Sequence, residues 1–461
     1  MQKKALLALM LAMTLLLSSC ALIVKDEAVD AQTPIIRRGG ETVKTKGEVQ
    51  EAVQEQLNYM AYMYSVYFGQ SYDTTDPNNI SAAQSSAIEE IEEEIVTREH
   101  VASDIPALTE EELAAVQETA QSNFDSDLAT VKAQQFSNSE LEGDALDEAA
   151  KAWMEEQGMT MEEYVQNATE SKQQELLRAK VIESVEVTDE EITEEFNSRV
   201  ESAKTNYDSN PGSYATAVNN GTTVYYAPEG VRRVKQILTK FHDDDQAAID
   251  AANAKITSAN SAVSAANAKI TSAQGTLDTE GISDEDKTQA EADLAAANDE
   301  LNAANTDLAA AQAELDAAKE TAFANLDEEA DAILAELDAG ADWNTLMAEK
   351  NQDPGMQSGE TAEKGYAVAS GMTSFDSAFV DAAMALEKVG DHSGKIRGES
   401  YGYYIIRYES DEPAGPVDIE TVKDTISSSL LSTKQDEFYH ETVHQWIDAA
   451  GFQVDLNALN N

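Results

Sequence analysis

The sequence predicts an α+β protein that is mainly helical, with a small β-rich region interrupted by a long helical hairpin. Apolar residues recur at helical spacing through residues 43–206 and again from Asp418 to Ala450. Heptads fill residues 243–322. Short strand candidates occupy Val231–Phe241, Tyr366–Ala369, Gly394–Arg397 and Tyr403–Tyr408. Because 42% of the residues are hydrophobic, the chain can form packed cores.

The N-terminus has the features of a bacterial lipoprotein signal. Two lysines precede the apolar run Ala5–Leu17, which is shorter than the roughly 20 residues that a transmembrane helix needs. The run ends in L-S-S-C, which resembles a lipobox, and Cys20 is the only cysteine. We therefore expect residues 1–19 to be a signal peptide, Cys20 to be lipidated and residues 20–42 to be a tether. This places the protein on the extracytoplasmic face of a cell membrane, in a Gram-positive bacterium.

The charge of the chain excludes one class of partner. Lys and Arg total 31 against 87 Asp and Glu, a net charge of −56. Nucleic-acid binding depends on Lys and Arg that neutralise phosphates, so we expect no nucleic-acid partner. A single thiol also allows no internal disulfide.

Helix-start signals organise residues 43–230, which we predict to be a helical domain followed by a linker. Ser/Thr–Glu capping boxes stand at Thr109/Glu112, Thr160/Glu163 and Thr188/Glu191. The N-P-G sequence at 210–212 and Pro228 predict linker and turn from 207 to 230. The Tyr- and Met-rich segment Leu57–Phe68 favours either core packing or adaptable binding of unfolded chains.

Residues 243–322 predict an antiparallel coiled-coil hairpin. Apolar residues repeat every seven positions on both sides of a turn near Asp278–Asp284, and alanines follow three positions later. The first arm carries Ile249, Ile256, Val263, Ile270 and Leu277, and the second carries Leu294, Leu301, Leu308 and Leu315. Alanine at one seam position lets the helices approach closely. We expect a separate helix, Asp327–Ala339, after the hairpin.

Outside this insertion, residues 231–242 and 323–410 carry an ordered set of short motifs. They read RVKQIL at 233–238, GADW at 340–343, NQD at 351–353 and YGYYII at 401–406, with Met372 and Phe379 between the last two. In this order they resemble the parvulin (PpiC-type) peptidyl-prolyl isomerases. The resemblance implies a small antiparallel sheet with helices, and it marks residues 243–322 as an insertion.

The parvulin resemblance implies site residues. Asp353, Gln236 and Tyr404 would be catalytic, and a second set, Met372, Phe379 and Met384, would bind the proline of the substrate. The two central histidines of the family are replaced by Gln236 and Tyr404, which predicts reduced activity. Rotating an Xaa-Pro bond breaks no covalent bond, so no nucleophile is needed, and we expect no cofactor and no metal.

The flanks resemble a narrower group. Helices before the parvulin-like region and a helix in residues 411–461 are similar to the PrsA and SurA type of extracytoplasmic foldase, in which both ends of the chain form one chaperone domain. This implies a surface-anchored foldase whose partners are unfolded or newly exported polypeptides and the membrane, and leaves a homodimer open. Two alternatives stay open: a holding chaperone with weak or no isomerase activity, and a structural or adhesive surface lipoprotein that uses the hairpin.

One further motif points to a different chemistry. His440–His444 reads H-E-x-x-H, the helical zinc-binding motif of metallopeptidases. A third protein ligand usually follows downstream, where only a short tail remains. We therefore expect two exposed histidines on an amphipathic helix rather than a metal site.

Overall fold

The computed structural model describes residues 27–137 and 139–460. The predicted signal peptide, Cys20 and residues 20–26 of the predicted tether lie outside these residues. The chain divides into two compact units, Met1–Val187 with Ser428–Asn461, and Thr188–Ser427. None of the helices in the described part is both long and apolar enough to span a membrane.

The first unit is helical and carries one small sheet. Its elements are α1 (Glu27–Asp30), β1 (Pro34–Arg38), β2 (Glu41–Thr45), α2 (Lys46–Phe68), α3 (Pro77–Asp104), α4 (Glu110–Gln135), α5 (Gly143–Glu156), α6 (Met161–Ile182), most of α14 (Lys423–Ala450), β9 (Phe452–Val454) and α15 (Leu456–Asn460). The sheet order is β2-β1-β9. β1 therefore pairs with a strand from the far end of the chain, and both termini contribute to this unit, as predicted.

The tether prediction is wrong for residues 34–42. Ile35 and Ile36 of β1 are fully buried, and Gly39 and Gly40 both have positive φ angles, 59° and 87°. The glycine pair forms the tight turn of a hairpin, a conformation that glycine adopts without steric cost. The sequence Pro34–Thr45 is thus a folded edge of the first unit.

Two of the three predicted capping boxes form in full, and at Thr160 only the side-chain cap to the Glu163 backbone nitrogen is present. The Thr109 backbone nitrogen donates to Glu112 Oε2 at 2.8 Å, and the Glu112 backbone nitrogen donates to Thr109 Oγ1 at 3.3 Å. Thr188 and Glu191 repeat this arrangement. These contacts satisfy backbone donors that helix starts leave free, so the sequence sets these helix starts locally.

The second unit contains the main sheet and the hairpin. Its elements are α7 (Asp189–Ser209), α8 (Pro211–Asn219), β3 (Tyr226–Ala227), β4 (Arg232–Lys240), α9 (Asp243–Leu277), α10 (Asp284–Asp338), α11 (Trp343–Lys350), a 3₁₀ turn (Pro354–Met356), α12 (Gly359–Lys364), β5 (Tyr366–Val368), α13 (Ser377–Ala385), β6 (Ile396–Arg397), β7 (Gly402–Asp411), β8 (Gly415–Pro416) and a second 3₁₀ turn (Ile419–Thr421). The four-stranded antiparallel sheet has the order β5-β4-β7-β6. The predicted α+β class is confirmed.

Strand alternation divides the residues of this sheet between its two faces. Val234, Leu238 and Tyr404 belong to one core cluster with β5 and α13. Ile237 and Ile405 belong to another with α10 and α11. Successive side chains of a strand point to opposite faces, so Gln236 shares the face of Val234 and Leu238.

The predicted linker at 207–230 is wrong. Pro211 opens α8, where its missing N–H costs nothing, so the N-P-G sequence starts a helix. Tyr214 of α8 is 1% exposed in the core of the sheet. The Asn219 side chain accepts from Ala367 N at 2.9 Å and donates to Ala367 O at 2.8 Å, which satisfies edge strand β5. Residues 188–230 therefore belong to the second unit, and the predicted boundary at 230 moves to Val187.

α9 and α10 pack as an antiparallel helical hairpin. Lys269 pairs with Glu300 at 2.6 Å, and Lys255 pairs with Glu314. An earlier residue of α9 thus faces a later residue of α10, so the two helices are antiparallel. Seven of the eight predicted seam alanines are buried, and Ala318 is partly buried. The buried alanines are Ala252, Ala259, Ala266 and Ala273 on α9 and Ala297, Ala304 and Ala311 on α10, and Ala290 extends the seam.

The boundary predicted at the end of the hairpin is wrong. α10 runs unbroken for 55 residues, so the second arm and the helix expected at Asp327–Ala339 are one element. Residues 284–338 contain neither Gly nor Pro and are rich in alanine, so nothing interrupts the helix. At 1.5 Å per residue it is about 80 Å long.

Replacing Ala266 with leucine should destabilise the hairpin by about 1–3 kcal/mol, because the closely spaced seam has no volume for three more carbons. Hydrogen exchange of the hairpin amides measures this local stability. The matched control is Ala265→Leu, one position away on the exposed face. Equal protection in the two variants would contradict the packing described here.

Candidate functional site

A cleft of about 690 Å³ opens on the face of the main sheet that carries Gln236. Its lining comes from β4, β7, β5, the loop before the first 3₁₀ turn, α13 and the loop before β7. The lining residues are Gln236, Leu238, Lys240, Asp353, Pro354, Tyr366, Ser374, Phe375, Asp376, Phe379, Glu399, Ser400, Tyr401 and Tyr404. Another cleft, of about 800 Å³, lies at the hairpin tip, but its buried lining residues Ala273, Ala290 and Ala297 offer no polar side chain.

Asp353 and Gln236 form a buried hydrogen-bonded pair in the cleft. Gln236 Nε2 donates to Asp353 Oδ2 at 2.6 Å, and the two residues are 7% and 9% exposed. Tyr366 Oη donates to the same oxygen at 3.0 Å, and the Gly355 backbone nitrogen donates to Asp353 Oδ1 at 2.9 Å. Both carboxylate oxygens are therefore held by donors, which fixes the orientation of the group.

The N-Q-D sequence positions Asp353 by binding back onto β4. Asn351 Oδ1 accepts from Leu238 N at 2.8 Å, and Gln352 N donates to Leu238 O at 3.0 Å. Lys240 N donates to Gln352 Oε1 at 2.6 Å. The loop thus satisfies backbone groups of β4 beyond Gln236 and anchors the carboxylate at a fixed distance from that strand.

Glycine is required where this loop passes Tyr366. A Cβ added at Gly355 would lie 1.9 Å from the Tyr366 hydroxyl oxygen. Only a residue without a side chain allows the hydroxyl to reach Asp353 across this turn.

Four aromatic rings form one wall of the cleft. Tyr366 contacts Phe375, Phe375 contacts Phe379 and Phe379 contacts Tyr404, with ring centroids 5.1, 5.6 and 5.3 Å apart in edge-to-face arrangements. Such pairs add about 0.5–1.5 kcal/mol each beyond area burial. The wall is therefore a preformed apolar surface beside the polar pair.

The two tyrosine hydroxyls of the wall remain protonated at neutral pH. Burial raises the pKa of Tyr366 well above its usual value, and the charge and hydrogen bond of Asp353 raise it further. Burial likewise raises the pKa of Tyr404, with smaller contributions from Asp376, Tyr401 and Asp353. Both hydroxyls can therefore donate hydrogen bonds at neutral and mildly alkaline pH.

The structure brings together four of the six residues predicted for the site. Gln236, Asp353, Phe379 and Tyr404 line the cleft, whereas Met372 and Met384 do not. Met372 is buried in the core under α8, where Gly212 lies so close that a Cβ would be 2.5 Å from Met372 N. Met384 packs against the same core, and its carbonyl accepts from Arg232.

Tyr366 and Phe375 are the functional candidates that sequence reasoning missed. The stretch beside them lacks the glycine-rich motif of the parvulin family. Motif comparison therefore gave no position from which to assign these two residues. The sequence offers one signal, Gly365 directly before Tyr366. In the structure this glycine has a positive φ of 84°, and a Cβ there would lie 2.6 Å from Val234 O. A glycine required against a central strand marks the residue after it as the start of the neighbouring strand, facing the site.

The arrangement suits binding and polarisation of a peptide rather than covalent chemistry. Gln236 Oε1 is buried and has no hydrogen-bond partner among the described residues. A buried acceptor without a donor costs about 1–3 kcal/mol. Beside the pair lie an apolar wall and the Tyr404 hydroxyl, whereas the Tyr366 hydroxyl proton is already donated to Asp353.

Changing Asp353 to Asn should lower the pKa of Tyr366, because the carboxylate charge that now opposes phenolate formation is removed. Burial should keep that pKa above the usual value for tyrosine. Carbon-13 NMR titration of labelled tyrosine rings measures the shift, with Tyr366→Phe to assign the resonance. Asp381→Asn, an exposed change on α13, is the control and should leave it unmoved. An unchanged Tyr366 pKa in Asp353→Asn would contradict the hydrogen bond.

Sequence comparison relates the chain to foldases. No protein-family model matches it. The chain is similar to the "Foldase protein PrsA" of Clostridium tetani (strain Massachusetts / E88), 29% identical over 122 residues, which are 26% of this chain and 34% of that protein. The PrsA foldase of Clostridium botulinum (strain 657 / Type Ba4) is 31% identical over 126 residues, 27% of this chain and 36% of that protein. The match thus spans about a third of the length of these relatives.

Two solved structures align over most of the chain at low identity. One, described as "The virulence factor PEB4 and the periplasmic protein Cj1289 are two structurally-related SurA-like chaperones in the human pathogen Campylobacter jejuni", covers 90% of this chain and 98% of its own, with 13% identity and a TM-score of 0.23. The PrsA foldase of Streptococcus pneumoniae str. Canada MDR_19A covers 93% and 97%, with 16% identity and a TM-score of 0.21. TM-scores this low do not establish a common global arrangement. The predicted resemblance to PrsA-type foldases is confirmed as a similarity to PrsA proteins over about a quarter of this chain.

Proposed function

We propose that this chain is a surface-anchored foldase for exported polypeptides and that its cleft catalyses cis/trans isomerisation of Xaa-Pro bonds. The observation that carries the proposal is the buried Asp353–Gln236 pair beside the four-ring wall of an open cleft. The similarity to PrsA proteins supports the same role. The lipid on Cys20 would hold the protein at the membrane.

The aromatic wall would take the proline ring. Isomerisation faces a barrier of about 18–20 kcal/mol because amide resonance must be broken. Phe375, Phe379 and the ring of Tyr404 offer an apolar surface that excludes water from the amide, and a twisted amide has less charge separation than a planar one. Desolvation therefore favours the transition state over the ground state.

Tyr404 would hold the peptide in the twisted geometry beside the polar pair. Its hydroxyl can donate to a substrate carbonyl or to the proline nitrogen as it becomes pyramidal. Asp353 acts on Gln236 by fixing its amide orientation. In this way glutamine and tyrosine replace the two histidines without requiring an imidazole.

NMR exchange measurements on short Xaa-Pro peptides should show acceleration by the full chain kept in solution with mild detergent. Asp353→Asn should lower the exchange rate about tenfold, because a charge-assisted hydrogen bond is worth about 1.5–3 kcal/mol. Phe375→Ala should lower it about three- to tenfold by removing one ring of the wall. Phe375 is half-buried, so this variant should stay folded.

The matched control for these variants is Asp381→Asn, which removes an exposed carboxylate from α13 outside the cleft. It should retain the rate of the unaltered chain. A folded chain that does not accelerate exchange, or a rate that survives both cleft substitutions, would contradict the isomerase proposal.

One observation favours a holding chaperone as the second candidate function. Tyr59, Tyr62 and Val66 stand at i, i+3 and i+7 of α2 and are 56–63% exposed, and Tyr67 and Phe68 extend the patch to the helix end. Residues at this spacing share one helix face. The core-packing interpretation of this segment applies only to its start, since Leu57 is buried and the later aromatics are not.

Replacing Tyr59, Tyr62 and Val66 together with glutamine should reduce the ability of the chain to suppress aggregation of an unfolded protein, since exposed apolar area drives such binding. Light scattering of a denatured test protein measures this. The same triple change should leave peptide isomerisation unaltered. A matched triple change of exposed polar residues on α2, Glu51, Gln54 and Glu55 to glutamine or asparagine, should leave both activities unaltered. Undiminished suppression in the aromatic variant would remove the support for this surface.

A further inference from the structure

Three metal-ligand side chains from two helices converge in the first unit. His440 and His444 lie one turn apart on α14, and Glu89 lies on α3. His444 Nε2 is 3.1 Å from His440 Nε2 and 3.3 Å from Glu89 Oε1. All three ligand atoms lie within 4.8 Å of one another.

Hydrogen bonds alone do not account for these contacts. The Nε2 atom of a neutral imidazole is either a single donor or a single acceptor. His444 Nε2 therefore cannot make full hydrogen bonds to both His440 Nε2 and Glu89 Oε1. A cation at the centre would satisfy all three atoms at once.

The spacing matches metal coordination. With metal–ligand bonds of about 2.0–2.1 Å, ligand atoms on a tetrahedral ion lie about 3.3 Å apart. The two distances from His444 Nε2, 3.1 and 3.3 Å, are close to this value, and the third pair of ligand atoms lies within 4.8 Å. Three protein ligands would leave one coordination position for water.

Contacts that need no metal hold α14 against α3 and α6. The His100 ring of α3 stacks on Trp446 of α14 with centroids 3.7 Å apart. On α14, Asp436 pairs with Arg178 of α6, whose guanidinium also lies 5.1 Å from the ring centroid of Tyr439. The ligands therefore stand on a preorganised frame, which lowers the entropic cost of binding.

We propose that Glu89, His440 and His444 bind one divalent transition-metal ion, of which Zn²⁺ is the natural probe. Two imidazoles and one carboxylate favour such an ion over Ca²⁺ or Mg²⁺, which prefer all-oxygen sites. This proposal departs from the expectation of a metal-free histidine pair, because the third ligand would come from upstream on α3 and not from the tail. The ion ties the C-terminal helix to α3 and so links the two ends of the chain within the first unit.

Isothermal titration of the untagged full chain in mild detergent with Zn²⁺ tests the site. Millimolar Ca²⁺ and Mg²⁺ in the buffer occupy non-specific carboxylates. We expect one Zn²⁺ per chain and a rise in the thermal unfolding midpoint. His440→Ala, His444→Ala and Glu89→Gln should each weaken binding more than about tenfold, since loss of even an outer-shell partner costs 10–100-fold.

Two matched controls should bind as the unaltered chain does. Glu441→Gln changes the carboxylate between the two histidines, and His242→Gln removes an exposed imidazole in the second unit. Co²⁺ provides a second readout, since four-coordinate Co²⁺ absorbs far more strongly in the visible range than Co²⁺ held by scattered carboxylates. Absence of binding by the folded chain, or binding that survives all three ligand changes, overturns the site. Zn²⁺ binding with no change in the thermal unfolding midpoint would contradict the proposed link between α14 and α3.

Discussion

The pairing of β4 with β7 is the constraint on which the second unit depends. Nine residues of β4 pair with β7, from Arg232 opposite Asp411 to Lys240 opposite Gly402. This places Leu238 opposite Tyr404 and Gln236 opposite Ile406, so the two positions that replace the family histidines are neighbours on one face. The register ends at Gly402, where a Cβ would lie 2.0 Å from Thr239 O. A slip of one residue would put Gln236 and Tyr404 on opposite faces of the sheet.

The same pairing explains how the chain tolerates the hairpin. α9 leaves from the end of β4, and α10 returns across the opposite face of the sheet, where Ile333 and Leu337 pack with Ile237 and Ile405. Near the base, Phe323 packs with Phe241 and Tyr403. An ordered hairpin with its own seam brings its two ends together without the closure entropy of a loop of that length. The insertion therefore need not disturb the cleft on the other face.

Features that depend on near neighbours in the chain could be predicted, and those that depend on distant ones could not. The boxes at Thr109 and Thr188 and the alanine seam need only local spacing, and they form as expected. Pro34–Arg38 was misread because its partner, β9, lies at the other end of the sequence. The helix at Pro211 was misread because N-P-G signals a helix start as well as a turn, and burial of Tyr214 decides between them.

For the site, motif order identified Asp353 and Phe379. It could not show that Met372 faces the core while Phe375 faces the cleft, since that depends on how α13 and its loop pack.

The unbroken α10 has a mechanical consequence. The part that packs on α9 alone and the part that packs on the sheet are one rod of 55 residues, with no glycine or proline that could act as a hinge. Torque from a polypeptide that pulls on the distal turns would be transmitted through Leu326, Ile333 and Leu337 to the strands beneath the cleft. A force on the distal end of the hairpin would thus be transmitted through the sheet to the face of β4 and β7 that lines the cleft.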